Sequence, residues 1–493
     1  MKPTKLRLIA GSLLIICMMS CNPTPKELSA EGVSVEGTVN FTKTLREWDG
    51  FGVNYVEVAQ STDYEKNPQE YGGFSLLTEE ERHEIIDLIF GENGLKPAII
   101  KMFFDPFHQE TPGADFDHET TTEWMRYFAK EGIKKTKERE GDDISIITTM
   151  YGPPAWATQQ KILRGRDLDS DQYENLAYYM IDWVKYLVEE EKLPVKYLSL
   201  HNEGDSPNRW PLDGSHGNIG KGHDYNAFWR PWEVSHFLDF MPPMIKAAGL
   251  HIKLTPGECT TWGHFERHWY HWAIHDNKHA MKNIGLITSH GFGNESSINS
   301  RASDLLRMKR PDLHAWTTSM TWGKKNTTDF EFVDLIRLNI YQAKVNAVIP
   351  WACIQTLTWV GGDPNPGTAF FVSENGEYEV KPQYYYYKQL ARAGQKGMAV
   401  AEVNIDKDSP VKLIAFASNG TDHPNAFLVF NKGEREQEVN LTIKGGNGTY
   451  HLFRTGGKEQ YAVLEDVEVT GGVLDYTAPA GSLTTFFAEY QGK

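Results

Sequence analysis

Cysteine is scarce in this chain: four occur among 493 residues, and only Cys259 and Cys353 lie beyond residue 21. Two cysteines make no disulfide framework, and the sequence does not say whether they pair. Positive charge is in deficit too, with 50 Lys and Arg against 66 Asp and Glu, a net charge of −16. So acidic a chain repels phosphate backbones, which sets nucleic acid aside as a partner. Neutral glycans suit that charge, whereas a polyanionic glycan needs a local basic groove. After the first residues no second long apolar run appears, and there is no internal repeat or low-complexity tract. No glycine-rich dinucleotide turn follows the first strand candidate, which argues against a doubly wound nucleotide-binding sheet.

What is present suffices for a large core: 40% of residues are hydrophobic and 24% charged, the balance of a soluble globular protein. The length fits one large domain plus a smaller one. The 14 Trp and 22 Tyr suit stacking on flat sugar faces, although large cores use the same rings. Lys2, Lys5 and Arg7 precede an apolar run over 8–19, the pattern of an export signal too short to span a bilayer permanently. Met18-Met19-Ser20-Cys21 resembles a bacterial lipobox. Cys21 is therefore expected to become the lipidated first residue of an exported protein held to the cell envelope by that anchor alone. An ordinary cleaved signal peptide is the alternative reading. Residues 22–26 look like a tether.

Short apolar runs at 49–53, 98–103, 144–150, 195–200, 251–254, 284–289, 313–317 and 345–351 alternate with helical patterns. Continuous apolar runs suit parallel strands buried on both faces. Thr78 and Glu81 form a capping box for a helix that Gly91 can close. Leu176, Tyr179, Met180, Trp183, Val184 and Leu187 make one apolar helical stripe. Eight such units predict an α/β chain with a (β/α)8 TIM barrel over 47–396. Beyond 397 the texture changes to short strands at 411–417, 425–430, 438–443, 448–453, 467–469 and 483–488, divided by Gly and Asn turns. That region, 397–493, predicts a C-terminal β-sandwich. Residues 32–42 share its texture, so the segment 22–46 is expected to lend it strands.

Barrel chemistry sits at the C-terminal ends of the strands. The fourth strand candidate ends His201-Asn202-Glu203-Gly204-Asp205. A carboxyl beside an amide there is what glycoside hydrolysis needs, the acid protonating the leaving oxygen and the amide holding a hydroxyl. A polar surface turn is the plainer reading. Together with Trp48-Asp49-Gly50-Phe51-Gly52 on the first strand and Gly152-Pro153-Pro154-Ala155-Trp156 after the third, the segment resembles glycoside hydrolase family thirty. The resemblance implies a retaining-type barrel with a side sandwich built from both chain ends. It also implies a β-linked glycan as partner, no cofactor, Glu203 as general acid/base and Asn202 as substrate contact. It further implies a sugar platform at Trp156, a polar ring at His290 and a tryptophan under the sugar at Trp351. Core packing is the competing reading for each aromatic.

The sequence then departs from the family pattern. Where the resemblance places a nucleophilic glutamate on strand seven stands Ser319, and no acidic residue lies between Leu313 and Asn326. Lys101 replaces an arginine on strand two, keeping the charge and losing the planar fork. A serine hydroxyl does not replace a carboxylate without a base of its own. Glu258, ending strand five, is the candidate second catalytic carboxylate. A gap to Glu203 of about 5–5.5 Å implies retention and about 6.5–9.5 Å inversion; a buried structural role is the alternative. Asp105, Lys101, Ser319 and Trp316 complete the expected substrate contacts. His264, His268, His271 and His275 fall on one face of a predicted helix, but nothing completes a metal set. Two further readings remain open. One is a catalytically lost barrel binding glycans through Trp156, Trp262, Trp316 and Trp351; the other is a lyase recruiting Lys101 and His290.

Overall fold

The computed structural model describes residues 34–57, 70–207, 212, 226–323, 330–356 and 367–489. The expected export signal and lipidation at Cys21 fall outside these residues. After β1 (Val35–Glu47) come eight short strands: β2 (Gly50–Asn54), β3 (Ile99–Phe104), β4 (Ser145–Met150), β5 (Val195–Ser199), β6 (Lys253–Thr255), β7 (Ile287–Ser289), β8 (Ala315–Thr317) and β9 (Ala347–Val348). They pair in parallel in the order β6-β5-β4-β3-β2-β9-β8-β7. A bridge between Leu254 and Ile284, with Gly285 N donating to Leu254 O at 2.9 Å, joins the two ends into a barrel. Every residue of β3 and β4 is buried, which is why these strands read as unbroken apolar runs. Lys101, in the middle of β3, is the one charged residue on either.

The helices form where their signals predict. Thr78 and Glu81 close a capping box on the helix Glu79–Phe90, and Gly91 caps its end. The stripe on Tyr173–Glu189 is buried against the barrel. At the N-terminal end of the strands, Trp316 packs with Ala98, Ile99, Ile147, Leu286, Ala347 and Ile349. Its indole N–H donates to Asp49 Oδ2 at 2.6 Å. Asp49 and Ala98 precede their strands, so this ring plugs the floor of the barrel. Trp316 is therefore no substrate contact, and that expectation is corrected.

A three-stranded sheet, β10 (Ile354–Thr356), β11 (Phe370–Val372) and β12 (Tyr378–Val380), follows the barrel. The C-terminal strands are β13 (Ala399–Ile405), β14 (Val411–Ala417), β15 (Ala426–Asn431), β16 (Gln437–Lys444), β17 (Gly448–Gly456), β18 (Glu459–Val463), β19 (Val467–Val469), β20 (Val473–Ala478) and β21 (Ser482–Ala488). With β1 they make a ten-stranded sheet in which β1 lies between β13 and β16. The sheet curls until its far members meet. Tyr476 of β20 lies 5.1 Å from Phe486 of β21, over a shared apolar core. Strands β13, β18 and β20 were not among the expected ones. They alternate or carry charge, and only pairing with their neighbours commits them to the sheet.

Trp48 joins the two parts. It is fully buried, its ring lies 4.9 Å from Phe51 of the barrel and 5.2 Å from Phe416 of the sandwich, and its N–H donates to Gly394 O at 2.9 Å. Trp48→Ala removes both contacts and is expected to cost about 3–5 kcal/mol. In denaturant titration, probes in barrel and sandwich should lose stability together; an unchanged sandwich transition would show that the two parts unfold independently.

Candidate active site

The site is built where β5 and β6 run past their assigned ends. Glu258 N donates to His201 O at 2.8 Å and Glu203 N to Glu258 O at 2.7 Å, so the pairing continues as an Asn202–Glu258 bridge. Gly257 makes this possible: its φ is +87°, and a Cβ there would fall 2.2 Å from the His201 ring. Glu203 itself holds φ at 46°, a left-handed conformation that a non-glycine residue adopts under constraint. The Asn226 amide donates to Asn202 O at 2.5 Å from the opposite side. His201 is buried against Trp229, accepts from Gly204 N at 3.2 Å, and has its pKa pushed down to about 4 by burial. It is a neutral support for the turn.

A chain of charge crosses the barrel behind Glu203. His290, at the tip of β7, places Nδ1 3.0 Å from Glu203 Oε1 and Nε2 3.0 Å from Glu258 Oε2. Glu258 Oε2 also accepts from Lys101 Nζ at 2.5 Å, and its Oε1 accepts from Thr149 Oγ1 at 2.8 Å. Lys101 completes its shell by donating to Thr318 O at 3.1 Å. Burial alone opposes ionisation of Glu258. The Lys101 charge and the His290 hydrogen bond outweigh it and bring the carboxyl down to about 2. Burial likewise disfavours a charged His290, but its hydrogen bonds to Glu203 and Glu258 raise its pKa. The geometry places the His290 ring between the Glu203 and Glu258 carboxyl groups.

Glu258 and Lys101 show no side-chain exposure, against 10% for Glu203. Both expectations placed on this pair are corrected. Glu258 has no open face for attack on a sugar, and the His290 ring fills the gap that an attacking water or sugar carbon would occupy. Lys101 touches Glu258 and a backbone carbonyl rather than substrate. Ser319 is 2% exposed at the tip of β8, and its carbonyl accepts from Gly291 N at 2.7 Å. Trp351 is 6% exposed and packs with Tyr71, Phe103 and Tyr151, an aromatic group at the strand tips of which only Trp351 was expected. Trp156 is largely buried edge-on to Tyr179, with its N–H on Gln109 O at 3.1 Å. Its broad face is packed more than presented.

Asp105 lies at the tip of β3, 2% exposed, accepting from Phe107 N at 2.8 Å. Behind it runs a line of polar side chains that the sequence did not suggest. His108 Nε2 is 3.7 Å from Asp105 Oδ2, His108 Nδ1 is 2.8 Å from His118 Nδ1, and His118 Nε2 is 3.0 Å from Asp182. Glu57, past the end of β2, accepts from Trp124 N and Met125 N at 2.9 and 3.1 Å. Burial first, then the nearby carboxyls of Glu70 and Asp105, raise it to about 8 against those hydrogen bonds. No motif marks Glu57; its burial beside other acids is a tertiary property. The histidine row does not form one face. Its helix breaks at Trp269 (φ 69°) into Trp262–Arg267 and Tyr270–Asp276, and His264 holds the buried Asp205 at 2.6 Å. Among the described residues no group of side chains is arranged to hold a metal ion.

Solved structures of glycoside hydrolase family 30 enzymes share this fold. The catalytic domain of a family 30 xylanase C from Talaromyces cellulolyticus aligns with a TM-score of 0.69 at 15% identity, over 92% of this chain and 100% of that one. A family 30 endoxylanase from Clostridium papyrosolvens gives 0.66 at 17% identity, over 92% and 100%. An endo-β-1,6-glucanase gives 0.67 at 16%, over 92% and 94%. At these identities the likeness establishes the fold. No protein-family model matches the chain, and no curated protein sequence does.

The buried pair generates two expectations. Lys101→Met strands the Glu258 carboxylate and should cost about 3–5 kcal/mol, while the double variant Lys101→Met/Glu258→Gln should recover part of that loss. A double variant no more stable than the single one would refute the pairing. The depressed Glu258 pKa contributes stability fully present above 4.5 and lost as pH falls from 4.5 toward 2. Acid unfolding followed by circular dichroism should therefore be less steep over that window in Glu258→Gln than in the unaltered chain.

Proposed function

We propose that this protein is a glycoside hydrolase acting outside the cytoplasm on a β-linked glycan, tethered to the cell envelope through Cys21. The observation that carries this reading is Glu203: a left-handed, nearly buried carboxyl at a barrel strand tip, hydrogen-bonded to a histidine that is itself anchored on a buried ion pair. Such a group can be held in one geometry while its proton is exchanged. In the proposed reaction Glu203 gives a proton to the glycosidic oxygen as the bond to the sugar carbon breaks. The resulting carboxylate takes a proton from the water that adds to that carbon, so the proton count closes on one residue. His290 keeps a hydrogen bond to Glu203 in both states, and Glu258 with Lys101 keeps His290 in place. A water activated by Glu203 enters on the face the leaving group vacated, which makes retention of configuration the expected outcome.

One observation favours a second reading. Ser319 and the enclosed Glu258 leave no exposed second carboxylate on β6 or β8, as in a barrel that only binds its glycan. Product release and product anomer from a polysaccharide panel separate the two, with xylan and β-1,6-glucan included because the structural neighbours are enzymes named for them. Cleavage with retention is expected, reduced about 10²–10⁴-fold in Glu203→Gln and at least about tenfold in His290→Asn, with KM little changed. Inverted product would refute the single-carboxylate route. Absence of cleavage on every glycan, with binding intact in Glu203→Gln, would leave the receptor. Cys21→Ala should move the protein from the membrane fraction to the soluble one.

A further inference from the structure

Away from the strand tips, at the base of the barrel, a groove of about 1120 Å³ opens against the sandwich. It lies on the side where chain segments enter the strands: Lys96 precedes β3, Gly141 precedes β4, and Lys396 precedes β13. In a chain of net charge −16, its inner lining is cationic. Arg139 Nε donates to Phe90 O at 2.7 Å, Arg392 Nη1 to Glu92 O at 2.7 Å and Lys396 Nζ to Asp143 O at 2.6 Å. These three side chains are oriented by backbone carbonyls, and the exposed Glu92 and Asp142 offset part of the charge of the two arginines from the rim.

Lys388 is the fourth cation. Among the described residues it faces no carboxylate within ion-pair distance; its ammonium sits 4.6 Å over the Tyr461 ring and 5.9 Å over Tyr384. Burial and the neighbouring Arg392 bring its pKa down to about 8, as expected for a cation still in need of an anion. Acidic residues also touch the groove, but Glu92, Glu140, Asp142 and Asp422 are all exposed while the cations are half-buried. Glu92 is taken up by Lys96 and Asp142 by His423 at 3.2 Å. The wall from β17 and β18 is largely apolar. Phe453 and Tyr461 stack 4.7 Å apart at 23°, and Val463 beside them is 75% exposed.

We propose that this groove is a second glycan site, distinct from the strand-tip site, for a strand carrying carboxylate or sulfate groups. Its anions meet Lys388, Arg392 and Lys396 while its apolar edge lies along Val463 and the rims of the Phe453 and Tyr461 rings, whose faces are taken up by each other and, for Tyr461, by the Lys388 ammonium. A cation bank beside an apolar wall suits an acidic sugar. A duplex would bring both backbones against a strongly acidic surface.

The test is affinity electrophoresis of the full-length chain through gels containing polygalacturonate, dextran sulfate, neutral xylan or double-stranded DNA. Retardation is expected with one or both acidic glycans, the two gels showing which anion is preferred. It should fall at least tenfold in Lys388→Glu/Arg392→Glu and severalfold in Tyr461→Ala, with circular dichroism unchanged. Glu203→Gln should bind as the unaltered chain does, so failure of the strand-tip reading leaves this result standing. The proposal is overturned if neither acidic glycan retards the protein, if both groove variants bind normally, or if DNA retards it as strongly as polygalacturonate.

Discussion

The ion pair between Lys101 and Glu258 fixes the centre of this molecule. Two opposite charges lie 2.5 Å apart with no solvent exposure on either side chain. Enclosing such groups costs several kcal/mol per ion, recovered only when every remaining donor and acceptor is satisfied. Here the barrel supplies those partners from separate strands: Thr149 on β4, Thr318 at the tip of β8 and His290 at the tip of β7. The pair therefore constrains strands β3, β4, β6, β7 and β8 at once. The Glu203 turn hangs on the same set, because its backbone is bonded to Glu258 and its side chain to His290.

That dependence changes how the serine on the seventh barrel strand is understood. The resemblance expects a carboxylate at Ser319. Lys101 does reach that strand, but what it meets there is the Thr318 carbonyl, and its counter-charge arrives from Glu258 on the fifth strand. The cation in the barrel centre takes its carboxylate partner from the fifth strand and only a backbone carbonyl from the seventh. Lysine suits this arrangement better than arginine. A compact ammonium saturates one carboxylate oxygen and one carbonyl, whereas a planar fork needs two coplanar acceptors on one side.

The eight strands and their parallel order were legible because barrel strands are buried on both faces, and apolar runs record that directly. The capping box of Thr78 and Glu81 and the stripe of Tyr173–Glu189 were legible for the same local reason. The position of Glu203 at a strand tip was readable from the motif around it. What sequence could not convey was enclosure. Glu258 and Lys101 are polar residues at strand positions that typically face a site, and only three-dimensional packing shows that they face each other. Trp316 misled in the same way: a tryptophan near a strand tip by number proved to be the floor of the barrel, held by Asp49. His108, His118 and Glu57 carry no motif, and their pairing with one another or with helix amides arises from loops meeting above β2 and β3.

Charge accounting gives the site its logic. Lys101 as ammonium and Glu258 as carboxylate cancel each other, and the hydrogen bonds of His290 to Glu203 and Glu258 favour its charged form. The Lys101–Glu258 pair is balanced with no further acid, inside a region too enclosed for water to screen an imbalance. A third carboxylate beside Lys101 on β8 would add an unmatched charge within that enclosure, and one of the groups would have to take up a proton to relieve it. Ser319 contributes a neutral residue at that point and keeps the balance. With a serine on β8 and the glutamate enclosed, Glu203 is the member of the set that solvent reaches most.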